Sequence, residues 1–284
     1  MRRALAALAV IATVAGALGA CATSGQGAAA QTPADLARMS MAREMVQRAD
    51  WAGAFPLLCQ IHQQRPDDAE VLALRGIVYR ERGLYPEAET DLRAALKLAP
   101  EMAETHAALG ILFDVQTRPG AEAEHREAVR LAPNNPAFLN NLAFSLFLRE
   151  HYKEAITMYE KAARLAPLSH RVRTNMGFAY AAIGDLPSAA REFRMGGSEV
   201  DADNNLGFAY ERRGDMANAY ALYLQAVRTD PTAARARSNL VHAALVLGRP
   251  VPDDVNAPAP AKASATSPAP ASPPAFAKQP VANP

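Results

Sequence analysis

Residues 136–169 read PAFLNNLAFSLFLREHYKEAITMYEKAARLAPLS. This stretch reads as helix-like, and Pro167 closes it. A proline so placed stops a helix, because it lacks an N–H and pushes the preceding residue out of the helical region. The same stop recurs. Pro66, Pro100, Pro133, Pro167 and Pro231 are separated by 34, 33, 34 and 64 residues, the last gap being two units with one shortened by four. Aligned on these prolines, the chain divides into six units, 35–68, 69–102, 103–135, 136–169, 170–199 and 200–233, with a half unit at 234–247. Each unit is expected to fold as a helix A, a turn and a helix B.

A period of about 34 residues resembles the tetratricopeptide repeat (TPR). The resemblance implies an all-α fold, a right-handed superhelix (α-solenoid) of about six helix-turn-helix repeats with a C-terminal capping helix. Small residues stand where a TPR brings helix A across helix B. Position 8 is Ala42, Gly76, Gly110, Ala143, Gly177 and Gly207, and position 20 is Ala54, Ala88, Ala121, Ala155, Ala189 and Ala219. Small against small lets the two axes approach to the short end of the usual 8–10 Å. Larger side chains are expected in the core beside them: Tyr79, Phe113, Tyr180 and Tyr210 at position 11, and Leu58, Leu92, Tyr159, Phe193 and Tyr223 at position 24. Asp50, Asp185 and Asp215 are placed to cap helix B, and Pro86 and Pro187 fall in its first turn, where a missing N–H costs nothing.

Two units depart from the pattern. The third loses one residue near Pro119-Gly120, in the turn between its helices. The fifth has no terminal proline and ends in Met195-Gly196-Gly197-Ser198, so its helix B should stop about a turn early and a joint with altered curvature is expected there. The half unit 234–247 should act as the cap, with Arg235, Ser238 and His242 on a more polar face.

The composition agrees with helices. Of 284 residues, 63 are alanine and only 6% are aromatic, which is the reverse of the β-branched and aromatic enrichment of sheet proteins. The formal charge of +1, from 30 basic and 29 acidic residues without long like-charge blocks, provides no basic stripe for nucleic acid.

Residues 1–20 carry Arg2 and Arg3, an uncharged apolar run from Ala4 to Leu18, and small residues before Cys21, the layout of a secretory signal. The run is too short and alanine-rich for a transmembrane span, which needs about 20 mostly apolar residues. Leu18-Gly19-Ala20-Cys21 resembles the lipobox of bacterial lipoproteins, which implies acylation of Cys21 as the mature N-terminus; ordinary signal-peptidase cleavage is the alternative. Ala22 is not the Asp that retains enterobacterial lipoproteins in the inner membrane, so the outer membrane, periplasmic face, is the expected address. Residues 21–34 read as a flexible tether. Residues 249–284 hold ten of the 21 prolines and read as a Pro/Ala-rich disordered tail.

No motif for catalysis, metal or cofactor is present: no H-E-x-x-H, no G-x-S-x-G, no Walker loop and no G-x-G-x-x-G. Carboxylates such as Glu122, Glu124 and Glu127 read as a solvated helix face. The chain is therefore expected to be no enzyme and to carry no cofactor. One constellation stands out. Positions 6 and 9 of the later helices A are Asn141 with Phe144, Asn175 with Phe178, Asn205 with Phe208, and Asn239 with His242. Residues three apart share a helix face, and in TPR stacks the helix A faces line the concave surface. Asparagine both donates and accepts, so one reading is a groove that pairs with the main chain of an extended peptide while the phenylalanines receive its side chains. The other is that Asn bonds within the scaffold and Phe packs between neighbouring helices A.

The lipobox, TPR array and NNLG-like strings resemble two groups of bacterial envelope proteins: the TadD lipoproteins of tight-adherence (Flp) pili, and the PilF/PilW lipoproteins of type IV pilus biogenesis. The resemblance implies a non-catalytic scaffold that is anchored to the membrane by lipid, binds protein or peptide partners, and assists pilus or secretion assembly. Another class, a scaffold or regulator of cell-wall enzymes, fits the same architecture.

Overall fold

The computed structural model describes residues 32–256, and among these there is helix and no strand. The expected signal segment, most of the tether, Cys21 and residues 257–284 lie outside the described residues. The chain divides into two compact units between Ile183 and Gly184.

Unit 1 contains α1 (Pro33–Gln47), α2 (Trp51–Gln64), α3 (Ala69–Glu81), α4 (Tyr85–Leu98), α5 (Ala103–Val115), α6 (Ala121–Leu131), α7 (Pro136–Leu148), α8 (Tyr152–Leu165) and α9 (His170–Ala182). Each helix packs on the next in sequence, and alternate helices touch along the stack, α1 on α3, α3 on α5, α5 on α7 and α7 on α9. Unit 2 contains α10 (Leu186–Met195), α11 (Glu199–Arg212), α12 (Met216–Thr229), α13 (Ala234–Leu247) and the short α14 (Asp253–Asn256). Within it α11 touches both α12 and α13, and α14 rests on α12. Within each unit this is the arrangement of a TPR solenoid, helix packed on successive helix, with the odd-numbered helices up to α13 in the place of A helices and the even-numbered ones up to α12 in the place of B helices.

The prolines act where the spacing puts them. The residue before each, Arg65, Ala99, Ala132, Ala166 and Asp230, caps its helix with φ between −133° and −138°, outside the helical region that a following proline disfavours. At the A-to-B turns the chain passes through left-handed backbone. Gly83, Gly184 and Gly214 supply it at φ 77°, 88° and 81°, but Ala49, Thr117 and Glu150 adopt φ 58°, 53° and 63° in the corresponding turns. Asp50, Asp185 and Asp215 accept from the backbone N–H of Gly53, Ser188 and Asn218.

The small-residue pairing sets the interhelix contact. Every alanine at position 20 is fully buried. A Cβ added to Gly76 would stand 2.8 Å from Leu92 Cγ, and one on Gly207 would stand 2.7 Å from Tyr223 Cε1. The position 24 residues Leu58, Leu92, Tyr159, Phe193 and Tyr223 are at most 1% exposed. Phe113 is also buried, while Tyr79, Tyr180 and Tyr210 are half-buried at the core's edge.

Four details differ from the sequence reading. Helix α1 starts at Pro33, inside the expected tether, because Thr32 and Asp35 form a capping box. The deletion in the third unit costs helix as well as turn: α6 has 11 residues against 14 in α4 and α8, and Gly120 caps it at φ 98°. The division into units falls between the two helices of the fifth repeat rather than at Gly196–Ser198, although α10 does stop short, at 10 residues. Finally, the tail does not start at 249. Residues 249–256 form a strap on unit 2: Tyr220 Oη donates to Pro250 O, Arg228 pairs with Asp254, Arg237 donates to Val255 O, and the Val255 side chain is buried against Ala236 and Leu240. Val255 in the core, Val251 packed at its edge and three polar tethers hold this segment despite its prolines.

Candidate functional site

The eight residues at positions 6 and 9 fall four in each unit. In unit 1, Asn141 and Phe144 are on α7, and Asn175 and Phe178 on α9. In unit 2, Asn205 and Phe208 are on α11, and Asn239 and His242 on α13. The structure does not join the position 6 asparagines to one another. Asn175 Nδ2 donates to Asn140 Oδ1 at 3.1 Å, and Asn239 Nδ2 donates to Asn204 Oδ1 at 2.9 Å. Each rung therefore links position 6 of one helix A to position 5 of the helix A before it, 35 residues earlier. Asn140, Asn175 and Asn204 are buried and Asn239 is half-buried. These amides knit the scaffold, as the second sequence reading expected. They keep spare capacity, since one amide uses a single donor here and its partner a single acceptor.

Asn141 and Asn205 make no rung of this kind and stay half-buried. Phe144, Phe178 and Phe208 are likewise half-buried, and Phe208 packs against the core of unit 2. Phe208 thus belongs to the packed interior edge of unit 2, and all three rings are partly exposed. Sequence reasoning missed Asn140 and Asn204, although the doubled asparagine at 140–141 and 204–205 was the signal that both helix positions mattered.

Unit 2 adds polar chemistry at the same face. Glu211, two turns after Asn204 on α11, accepts from the hydroxyl of buried Tyr223 at 2.6 Å through Oε2, while its Oε1 lies 3.6 Å from His242 Nε2. Burial and the Glu211 carboxylate both push the Tyr223 phenol well above its ordinary value, so it stays a donor. His242 is exposed, as are Arg235 and Ser238 on the same helix. The capping helix is not simply polar on its free side, because Val241, Leu245 and Val246 are exposed there as well.

Two buried ionic clusters in unit 1 are structural. Arg75 forks onto Asp91 at 2.6 and 2.9 Å, tying α3 to α4. Asp114 is a hub: His125 Nε2 lies 2.9 Å from its Oδ2, and Ser145 Oγ and Arg149 both donate to its Oδ1 at 3.0 Å, which links α5, α6 and α7. Serine and histidine both attach to the carboxylate, so the histidine is not placed as a base for the hydroxyl, the order that nucleophilic catalysis needs. Among the described residues no three His, Cys, Asp or Glu side chains converge as metal ligands, and no helix is long and apolar enough to cross a membrane.

Known proteins agree with this architecture. Models of the tetratricopeptide repeat match residues 136–169 and 204–235. The chain is 32% identical over 121 residues to the type IV pilus assembly protein PilF of Pseudomonas aeruginosa, a match covering 42% of this chain and 48% of that protein. It is 25% identical over 161 residues to the BBSome complex member BBS4 of Bos taurus, covering 55% of this chain and 30% of that one. The chain thus spans less than half the length of these curated relatives. Among solved structures, that of P. aeruginosa PilF superposes with a TM-score of 0.58 at 19% identity, over 74% of this chain and 97% of that one. PilW, described as a widely conserved type IV pilus biogenesis factor, superposes with a TM-score of 0.63 at 16% identity, over 74% of this chain and all of that one. The chain is similar in sequence to PilF and shares the TPR fold of PilF and PilW.

Proposed function

We propose that this TPR protein is a non-catalytic scaffold of the bacterial envelope that holds components of a pilus or secretion apparatus during assembly. In this reading a lipid on Cys21 anchors it to the periplasmic face of the outer membrane, and the helix A faces of each unit receive extended segments of the partner proteins. The observation that carries the reading is the sequence match to the pilus assembly protein PilF, on a chain whose export segment ends in a lipobox-like Leu18-Gly19-Ala20-Cys21. The faces suit the task for a physical reason. Asparagine amides pair with a main chain whatever its sequence, and half-exposed phenylalanines offer apolar seats for alternate side chains.

Two experiments test this. Metabolic acyl labelling of wild type and Cys21→Ser should give a labelled, outer-membrane wild type and an unlabelled, released variant. Unlabelled wild type would overturn the anchor. Affinity capture with the anchored protein should recover pilus or secretin components. Their loss in Asn141→Ala/Phe144→Ala and in Asn205→Ala/Phe208→Ala, with helicity retained, would support the faces. Because Asn175 is a buried member of a rung, it is a poorer probe than Asn141 or Asn205. Capture of cell-wall hydrolases in place of pilus components would overturn the assembly role.

A further inference from the structure

Two pairs of neighbouring A helices carry the same four repeat positions, and the chemistry at half of them differs. In α7 and α9 the position 5 and position 6 residues are the rung Asn140–Asn175, and positions 12 and 9 are Phe147 and Phe178. In α11 and α13 the first two are the rung Asn204–Asn239, and positions 12 and 9 are Glu211 and His242. The asparagine rung is common to both units. Beyond the rung, the helix face is apolar in unit 1, whereas in unit 2 it carries a carboxylate beside an imidazole.

The carboxylate is set up rather than merely present. Tyr223 is fully buried on α12, yet its hydroxyl passes the close helix crossing at Gly207 to reach Glu211 Oε2 at 2.6 Å. That bond fixes the rotamer of Glu211 and occupies one oxygen. Among the described residues the other oxygen accepts no hydrogen bond, and His242 Nε2 lies 3.6 Å from it, beyond hydrogen-bond length. No lysine or arginine among the described residues bonds to Glu211; Arg213, two residues on, directs its guanidinium at Gly184 instead. A half-buried carboxylate held at one oxygen and open at the other, with His242 across from it, is a seat for a cation. Charge-assisted hydrogen bonds to a carboxylate are the strong ones.

We propose that the Glu211–His242 corner of unit 2 is a specificity site that takes a lysine or arginine side chain from an extended partner segment whose main chain runs along the Asn204–Asn239 rung. This rests on the reading of the helix A faces as peptide-binding. It assigns unit 2 a basic residue in the segment, where the matching positions of unit 1 present phenylalanines.

The test is fluorescence anisotropy of the full chain with synthetic extended peptides of alternating apolar residues that carry lysine, arginine, glutamine or glutamate at one central position. The lysine and arginine peptides should bind at least tenfold more tightly than the glutamine peptide, and the glutamate peptide least. In Glu211→Gln, which keeps an acceptor for the Tyr223 hydroxyl, that preference should collapse while the glutamine peptide binds as before. Tyr223→Phe should lower the preference part of the way, with helicity checked by circular dichroism. Asn205→Ala should weaken every peptide alike. Binding with no preference for a basic residue, or a preference that survives in Glu211→Gln, would overturn the cation seat and leave the peptide face standing. Binding of none of the peptides would overturn both.

Discussion

Asn175 donates its side-chain amide to Asn140 across 35 residues of sequence, and Asn239 does the same to Asn204 over an equal interval. The equal interval puts the same bond at the same two repeat positions in both units, so that in each a polar contact ties neighbouring A helices. Removing one partner leaves the other buried without its bond, which costs about 1–3 kcal/mol. Asn140→Ala should therefore lower stability by roughly that amount in urea titration. The Asn140→Ala/Asn175→Ala pair should cost less than the sum of the single changes, since the second removes the orphan the first creates. Additive costs would show that the rung is not a coupled pair.

At position 8, Gly76, Gly110 and Gly207 are required by distance. In Gly207→Ala the new methyl would meet the Tyr223 ring at 2.7 Å, and that ring is fully buried and held by Glu211. Overpacking of this kind costs about 1–3 kcal/mol. Thermal unfolding should show Gly207→Ala destabilised, with recovery on adding Tyr223→Leu, which vacates the space. Ala143→Gly at the same position in unit 1 should instead lose helix propensity, about 1 kcal/mol, together with the packing of a fully buried methyl, about 0.8 kcal/mol.

Three turns hold a non-glycine residue in left-handed backbone where other repeats use glycine. Glu150 at φ 63° and Thr117 at φ 53° are the clearest, since one is exposed at a turn and the other is β-branched. Left-handed backbone costs an L-residue about 1–2 kcal/mol, offset in part by the greater freedom of glycine in the unfolded chain. Glu150→Gly and Thr117→Gly are each expected to raise stability by up to about 1 kcal/mol, read from the urea midpoint at unchanged slope. A loss in both would show that these side chains support the turn in some other way.

His62 is buried on α2 with Nδ1 unpartnered, and burial, then the nearby Arg75 guanidinium, holds its imidazole below the ordinary value. In the window between the ordinary value and this lowered one, the unfolded chain binds a proton that the folded chain does not. Stability from this group is then complete above the ordinary value and is lost as pH falls through the window toward the lowered value. His62→Leu should remove that slope without abolishing folding. Melting curves of the two proteins at stepped pH decide it: parallel profiles would show that His62 contributes no such term.

Much of the architecture is legible in the primary structure because it repeats. The prolines, the small residues at positions 8 and 20 and the helix-capping aspartates each recur several times, so a pattern rises above the noise of a single helix. The site is less legible. Position 6 asparagines stand out in an alignment of repeats, but their partners at position 5, Asn140 and Asn204, become visible only when the stagger of neighbouring helices is known. Glu211 is a lone acidic residue in sequence and acquires meaning from Tyr223, which reaches it from another helix. The strap 249–256 was hidden for the opposite reason. Its proline content argues against a core, yet two valines, two main-chain acceptors and the Asp254 carboxylate are enough to hold eight residues.

That strap offers a last test. Val255 is buried against Ala236 and Leu240, and three polar contacts, from Tyr220, Arg228 and Arg237, fasten the segment around it. If the strap completes the core of unit 2, Val255→Asp places a charge in an apolar cluster and should cost more than the loss of the valine's apolar burial, itself about 1.5–3 kcal/mol. Val255→Ala should cost less, and a chain ending at Gly248 should resemble Val255→Asp in stability. Hydrogen exchange should locate the loss in α12 and α13, leaving α1 to α6 as protected as in wild type. Unchanged exchange in α12 and α13 for all three variants would mean that unit 2 closes without the strap.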